Sequence, residues 1–162
     1  RLATVADENE VWALWRACAA DDRCLWNDDY PTPDFLHSDL NHGWLYVMLS
    51  EGRLQGAVTL MPTDDLEDLG LPFAETEKVA VMTRLCVWPA LQGQGYGRRL
   101  LALTERHAAA GGAKAMHMLC DVRNAPALAL YRRAGYRQVS DARLYGDHFF
   151  VLERVFSDGG AL

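Results

Sequence analysis

Apolar positions recur at helical spacing near the start of the chain. Val11, Leu14, Trp15 and Cys18 follow the polar run Asp7-Glu8-Asn9-Glu10, which predicts an amphipathic helix. Asp7 reads as its N-cap, and Glu10 three residues on completes a capping-box pattern. A second short helix is expected in "YPTPDFLHSDL", with Thr32 capping and Pro33 at the first helical position. The pattern then changes. "GWLYVMLSEGRLQGAVTLM" is two strand-like runs hinged at Glu51-Gly52, the signature of a hairpin. "PTDDLEDLGLPFAETE" is acidic and broken by Pro and Gly, hence a loop.

"KVAVMTRLCVWP" is a long apolar, β-branched run that stops at Pro89. After a cluster of glycines, a helix is expected over roughly Arg98 to Ala110, with Leu100, Leu101, Leu103 and Ala108 as its apolar positions. "GGAKAMHMLCDV" gives a break and a strand. "NAPALALYRRAGY" is a punctuated helix: Asn124 caps it, Pro126 sits in its first turn and Gly135 ends it. Ala127, Leu130, Tyr131 and Ala134 share one face. Strands are expected near Tyr136–Val139 and Phe149–Phe156. The order helix, helix, hairpin, strand, helix, strand, helix, strands is that of one α/β or α+β domain on a mixed sheet.

Composition narrows the function. The formal net charge is −6, which argues against a partner held mainly through nucleic-acid phosphates. No stretch approaches the ~20 continuous apolar residues of a membrane helix. The opening "RLATVADENE" does not resemble a secretory leader, and a start at Arg1 points to a trimmed end. Cys18, Cys24, Cys86 and Cys120 form no C-x-x-C pair and fit no zinc spacing. Two of them lie in apolar runs, as expected of reduced thiols in a cytoplasmic protein. The histidines show no ligand spacing, so no metal is expected.

The stretch "PALQGQGYGRRLL" carries the chemistry. A strand, a Gly-rich turn and a helix N-terminus make an anion site, because backbone N–H groups point outward and the helix dipole adds positive charge. A P-loop needs Lys-Ser or Lys-Thr after its last glycine, and none follows. A dinucleotide fingerprint starting at Gly93 needs glycine at position 98, which is Arg98. A plain structural turn accounts for one or two glycines, less readily for three ahead of Arg98 and Arg99. What remains is Q-x-x-G-x-G: Gln92, Gly95 and Gly97.

Together with the preceding "LCVWP" strand and the later "NAPALALYRRAGY", this pattern resembles the GNAT superfamily of acetyl-CoA-dependent N-acetyltransferases. The likeness covers the last half of the chain well and extends weakly upstream, through "LWNDDYPTPDFLHSDLNHGWLYVML". It implies a mixed, mostly antiparallel sheet of about six to seven strands, about four helices, and a splay at the cofactor strand. It implies acetyl transfer from acetyl-CoA to a primary amine of a small molecule or peptide, by direct attack in a ternary complex. Leu85, Cys86 and Val87 would offer backbone groups to the pantetheine arm, as in β-augmentation. The amides of Gln92, Gly93, Gln94, Gly95, Tyr96, Gly97 and Arg98 would hold the pyrophosphate.

The motif N-x-x-A-x-x-L-Y falls on Asn124, Ala127, Leu130 and Tyr131. The resemblance makes Asn124 a cofactor contact and Tyr131 the general acid for the departing thiolate. By spacing alone, Tyr131 would be a core aromatic. Arg132 and Arg133 would lie near the adenosine 3′-phosphate or form a solvated basic face. Many members of the family carry a glutamate on the strand before the loop, whereas "VAVMTR" has no carboxylate. Candidates for the general base are Glu77 and Asp29, with Glu75 and Asp28 beside them. Trp26 and Tyr30, with Trp44 and Tyr46, are candidates to wall an acceptor pocket. The acidic run Asp64, Asp65, Glu67 and Asp68 would attract a cationic amine or simply be hydrated. A homodimer is one option for assembly. The missing strand carboxylate leaves a second reading, an acyl-CoA-binding module without catalysis.

Overall fold

The computed structural model describes residues 1–22, 24–63, 66, 69–144 and 146–156. Its elements run α1 (Glu8–Ala19), α2 (Pro33–Asn41), β1 (Leu45–Ser50), β2 (Arg53–Met61), β3 (Val79–Val87), α3 (Tyr96–Ala110), β4 (Ala115–Asp121), α4 (Ala125–Arg133), β5 (Arg137–Leu144) and β6 (Asp147–Val155). This is the expected mixed fold, with six strands and four α-helices among the described residues. The described residues group into two compact units, those within 1–60 and 83–104, and those within 61–82 and 105–162. β2 by its last residue, β3 and α3 pass from one unit into the other.

In the first unit the strands run β1-β2-β3. β1 and β2 are antiparallel, Leu45 opposite Thr59 and Ser50 opposite Arg53. The hairpin turns on Glu51 (φ 51°) and Gly52 (φ 74°). Two consecutive left-handed residues match the twist of the flanking strands, which is why the Glu-Gly pair is legible as a turn. The core here comprises Val11, Leu14, Trp15 and Cys18 of α1 with Leu36, Leu45, Val47, Leu54, Ala57 and Cys86. These include all four apolar positions anticipated for α1.

The expected capping box on α1 is not formed. Asp7 precedes the helix, but its carboxylate caps nothing in it. Instead it accepts from the Thr4 amide (2.7 Å) and hydroxyl (2.9 Å) and from Arg1 (2.8 and 2.9 Å). A guanidinium and a preceding 3₁₀ turn at Val5–Asp7 outcompete the helix amides, and the paired charge holds the Asp7 carboxyl well below its ordinary range.

In the second unit the order is β3-β4-β6-β5. β3 runs parallel to β4 over Val79–Val81, opposite Ala115–His117. β4 and β6 are antiparallel along their length, from Ala115↔Val155 to Asp121↔Phe149, and β6 pairs with β5 in a closing hairpin. Both strands are longer than their apolar pattern suggests. β5 is an outer strand whose side chains are mostly exposed or half-buried, so its sequence carries little hydrophobic signal. α3 starts two residues earlier than expected, and Leu103 is 38% exposed while Thr104 and Glu105 are buried. The buried pair on α4 is Leu128 and Tyr131, with Ala127, Leu130 and Ala134 half-buried. No helix among the described residues is long and apolar enough to cross a membrane.

Candidate functional site

The two segments singled out from the sequence lie in different units, the glycine loop in the first and α4 in the second. In the first unit, β3 ends at Val87, a 3₁₀ turn covers Pro89–Leu91, and the glycine loop leads into α3. Gly93 and Gly95 have φ of 75° and 88°, conformations in which any other residue is strained. A Cβ at either position would meet nothing within 4 Å. The glycines are therefore demanded by the backbone path and leave its surface open. Helical bonding begins with the Arg99 amide donating to Gly95 O (3.0 Å). The amides of Tyr96, Gly97 and Arg98 thus precede the first intrahelical donor, the geometry of an anion-binding helix start. The Gln92 and Gln94 amides turn back onto Pro89 O (3.3 Å) and Leu91 O (3.4 Å), and Gln94 Nε2 donates to Ala90 O (2.7 Å). Arg98 and Arg99 are exposed.

Upstream, the parallel ladder of β3 to β4 covers only Val79–Val81. Arg84, three residues on, has φ 52°. A left-handed arginine inside a strand breaks the pleat and costs on the order of 1–3 kcal/mol. Its side chain is buried. Nε and Nη2 donate to Asp39 Oδ2 (2.9 Å) and Oδ1 (2.7 Å), and Nη1 donates to Tyr30 Oη (3.2 Å). Thr59 donates to Asp39 Oδ2 as well (2.5 Å). No sequence motif marks this network. The one signal in the sequence was a charge inside an apolar strand, with Asp39 on the buried face of α2.

Beyond Arg84, Leu85, Cys86 and Val87 complete the strand. Cys86 Sγ donates to Ala57 O (3.7 Å), and Cys18 Sγ donates to Val87 O (3.3 Å). Burial pushes the Cys86 thiol up, and the four cysteines are free. Trp26 and Tyr30 lie in the short turn before α2. Trp26 packs edge-on against Trp15 and Tyr30, and Tyr30 against Phe35. Asp29 is exposed there, its amide donating to Asn27 Oδ1 (2.8 Å), and Asp28 pairs with Arg16 (2.6 Å). His42 stacks on Trp44.

In the second unit, Asn124 caps α4, its Oδ1 accepting from the Ala127 amide (3.2 Å). That leaves the side-chain NH₂ as the group available to donate to a ligand. Tyr131 is buried on the same helix and packs edge-on against Tyr136 (centroids 5.7 Å). Tyr136 Oη donates to Met116 Sδ (3.0 Å), and burial pushes its phenol far above the usual range. Arg132 and Arg133 are exposed. Glu77 is exposed before β3. Glu75 Oε1 accepts from the amides of Thr76, Glu77 and Lys78, a turn-capping role that lowers its pKa. The acidic residues Asp64, Asp65, Glu67 and Asp68 lie outside the described residues.

The buried His117 read from sequence as a strand residue is one. Its Nε2 lies 3.2 Å from Glu153 Oε1, which also accepts the Ala74 (2.9 Å) and Glu75 (3.1 Å) amides, and Phe73 stacks on the ring. No group of three or more metal-ligating side chains occurs among the described residues.

The chain matches the sequence model of the Acetyltransferase (GNAT) family over residues 9–136. No protein of curated function matches it in sequence. Among solved structures it is similar to a GNAT-family acetyltransferase from Streptococcus agalactiae, at 15% identity and TM-score 0.80, covering 97% of this chain and 94% of that one. It is similar to a Salmonella typhimurium protein solved with its cofactor acetyl-CoA, at 18% identity and TM-score 0.72 over 100% and 95%. It is also similar to a ribosomal-protein-alanine N-acetyltransferase from Brucella melitensis, at 20% identity and TM-score 0.72 over 96% and 98%. At these identities the likeness is one of fold.

Proposed function

The chain belongs to the GNAT acetyltransferase family, and on that footing we propose that it is an N-acetyltransferase acting on a primary amine of a small molecule or peptide. The observation that carries this is the glycine loop, with left-handed Gly93 and Gly95 and an open backbone running into the first turn of α3. The amides of Gly93, Gly95, Tyr96, Gly97 and Arg98 receive the pyrophosphate of acetyl-CoA, and Gln92 and Gln94 shape the loop. Leu85, Cys86 and Val87 offer backbone groups to the pantetheine arm. This assignment is supported by the short β3–β4 ladder and the left-handed backbone at Arg84.

The amine nitrogen attacks the thioester carbonyl, the carbon–sulfur bond breaks, and the thiolate takes a proton. Asn124 contacts the cofactor and Tyr131 supplies that proton. The proton lost by the amine goes to a base or to water; Glu77 and Asp29, both exposed, are the candidates. Direct attack is favoured over an acyl-enzyme on Cys120 or Cys86, because burial pushes Cys120 up to about 12 and raises Cys86 as well, so neither is a thiolate at neutral pH. Four free cysteines support a cytoplasmic setting.

Calorimetric titration with acetyl-CoA, with ATP and NAD as controls, tests the cofactor. Release of free thiol across an amine panel then tests the transfer. Selective acetyl-CoA binding with turnover is expected. Binding without turnover on any amine would favour a non-catalytic acyl-CoA module, and no binding would remove both readings.

A further inference from the structure

Arg84 combines two unfavourable features at one position. It is a non-glycine residue in the left-handed region inside a strand (φ 52°), and it carries a guanidinium only 6% exposed against a carboxylate 2% exposed. Neither is a natural route to stability. Glycine would adopt this backbone without strain, and an apolar pair would often serve a core as well as a buried ion pair. Such strain persists where the surroundings over-determine it, and it gathers at functional positions.

The surroundings here do over-determine it. Asp39 on α2 accepts both Nε and Nη2, Thr59 on β2 fixes Asp39, and Tyr30 accepts from Nη1 while lying 3.4 Å from Thr83 Oγ1. One planar guanidinium thus ties α2 and the turn at Tyr30 to a single strand residue, with β2 joined through Asp39, and a bidentate fork sets direction as well as distance. The tether lies between the last β3–β4 pair, Val81↔His117, and the Leu85–Val87 segment.

We propose that the Asp39–Arg84 pair is a positioning device for the cofactor strand, holding position 84 left-handed so that the backbone groups of Leu85–Val87 are presented to acetyl-CoA. The claim rests on the reading of that segment as the acetyl-CoA strand. Arg84 acts through its own backbone and touches no reacting atom.

The test compares two doubly substituted full-length chains. In Asp39→Leu/Arg84→Met the tether is gone and the side chain still resists positive φ. In Asp39→Leu/Arg84→Gly the tether is gone but the backbone can stay where it is. Circular dichroism and thermal melting establish folding, calorimetry gives acetyl-CoA affinity, and backbone NMR shifts report residues 83–87. The Met variant is expected to lose affinity by about tenfold or more, and the Gly variant to return to within about threefold of the parent. A role in packing alone gives the opposite order, since glycine packs worst. Equal loss in both, or no loss in the Met variant, overturns the proposal.

If the Met variant does not fold, Arg84→Lys takes its place, keeping the charge without the fork. At least about threefold weaker binding is then expected, and unchanged binding overturns the claim. If the unsubstituted protein fails to bind acetyl-CoA, the function proposed above falls. The NMR comparison still decides this one: shifts moved in Met and kept in Gly support it, and shifts moved equally in both reject it.

Discussion

A Cβ placed on Gly56 would lie 2.6 Å from the carbonyl oxygen of Cys86 and 2.8 Å from a Val87 methyl. β2 and β3 approach so closely here that only glycine fits, and the obstacle is backbone rather than a side chain that can swing away. Gly56→Ala must therefore push β3 outward. Overpacking of this kind costs typically about 1–3 kcal/mol, which chemical denaturation would register. Because the displaced residues are the ones assigned to the pantetheine arm, acetyl-CoA affinity should fall in the same variant. A fully stable variant with unchanged affinity would show that β2 and β3 have slack.

Gly95→Glu should abolish acetyl-CoA binding. It brings a negative charge to the surface assigned to the pyrophosphate and a side chain to a position at φ 88°. Gly95→Ala separates the two effects. It carries the strain of the left-handed backbone, about 1–2 kcal/mol, without the charge, and should bind measurably but more weakly. Normal calorimetric binding by the Glu variant would move the phosphate site elsewhere.

Tyr131→Phe should lower kcat by roughly 10²-fold with little change in cofactor affinity, if the phenol protonates the leaving thiolate. The edge-on contact with Tyr136 is retained by phenylalanine. An unchanged kcat would leave Tyr131 as the core aromatic its spacing also suggests.

Cys120 makes the protein sensitive to alkali. Burial raises its folded-state pKa from 9.0 to about 12, so the neutral thiol is the form the fold favours. Its contribution is fully present below the unfolded-state pKa and is lost as pH rises from about 9 towards 12, by at most about 1.4 kcal/mol per pH unit. Cys120→Ala removes that dependence. Denaturation curves for the two proteins should converge or cross as pH climbs through this window. Parallel curves would show that the thiol titrates normally. The same burial predicts slow alkylation of Cys120 at pH 7.5.

Acid should act in the opposite sense through Asp7. Arg1 and Thr4 lower its pKa in the fold, so its stabilisation is present above the ordinary carboxylate pKa of about 4 and fades as pH falls below it. Asp7→Asn should accordingly lose stability at pH 6 and differ less from the parent at the lowest pH at which both still fold.

Local chemistry made much of this protein legible from sequence. Glu51-Gly52 could only be a tight turn. Asn124, Pro126 and Gly135 marked both ends of α4, and the spacing of Val11, Leu14, Trp15 and Cys18 named the buried face of α1. The glycine loop was readable because its demand, positive φ beside a helix start, falls on consecutive residues. Decisions made between distant residues were hidden. Asp7 looked like the cap of α1 until Arg1 and Thr4 claimed its carboxylate. Leu103 looked like core until the rotation of α3 buried Thr104 and Glu105 instead. Nothing in "VAVMTRLCV" says that Arg84 is left-handed, because an isolated arginine would not be. That conformation is decided by Asp39, Thr59 and Tyr30, from 25 to 54 residues away in the chain. Their hydrogen bonds outweigh a local preference, and only the folded chain brings them together.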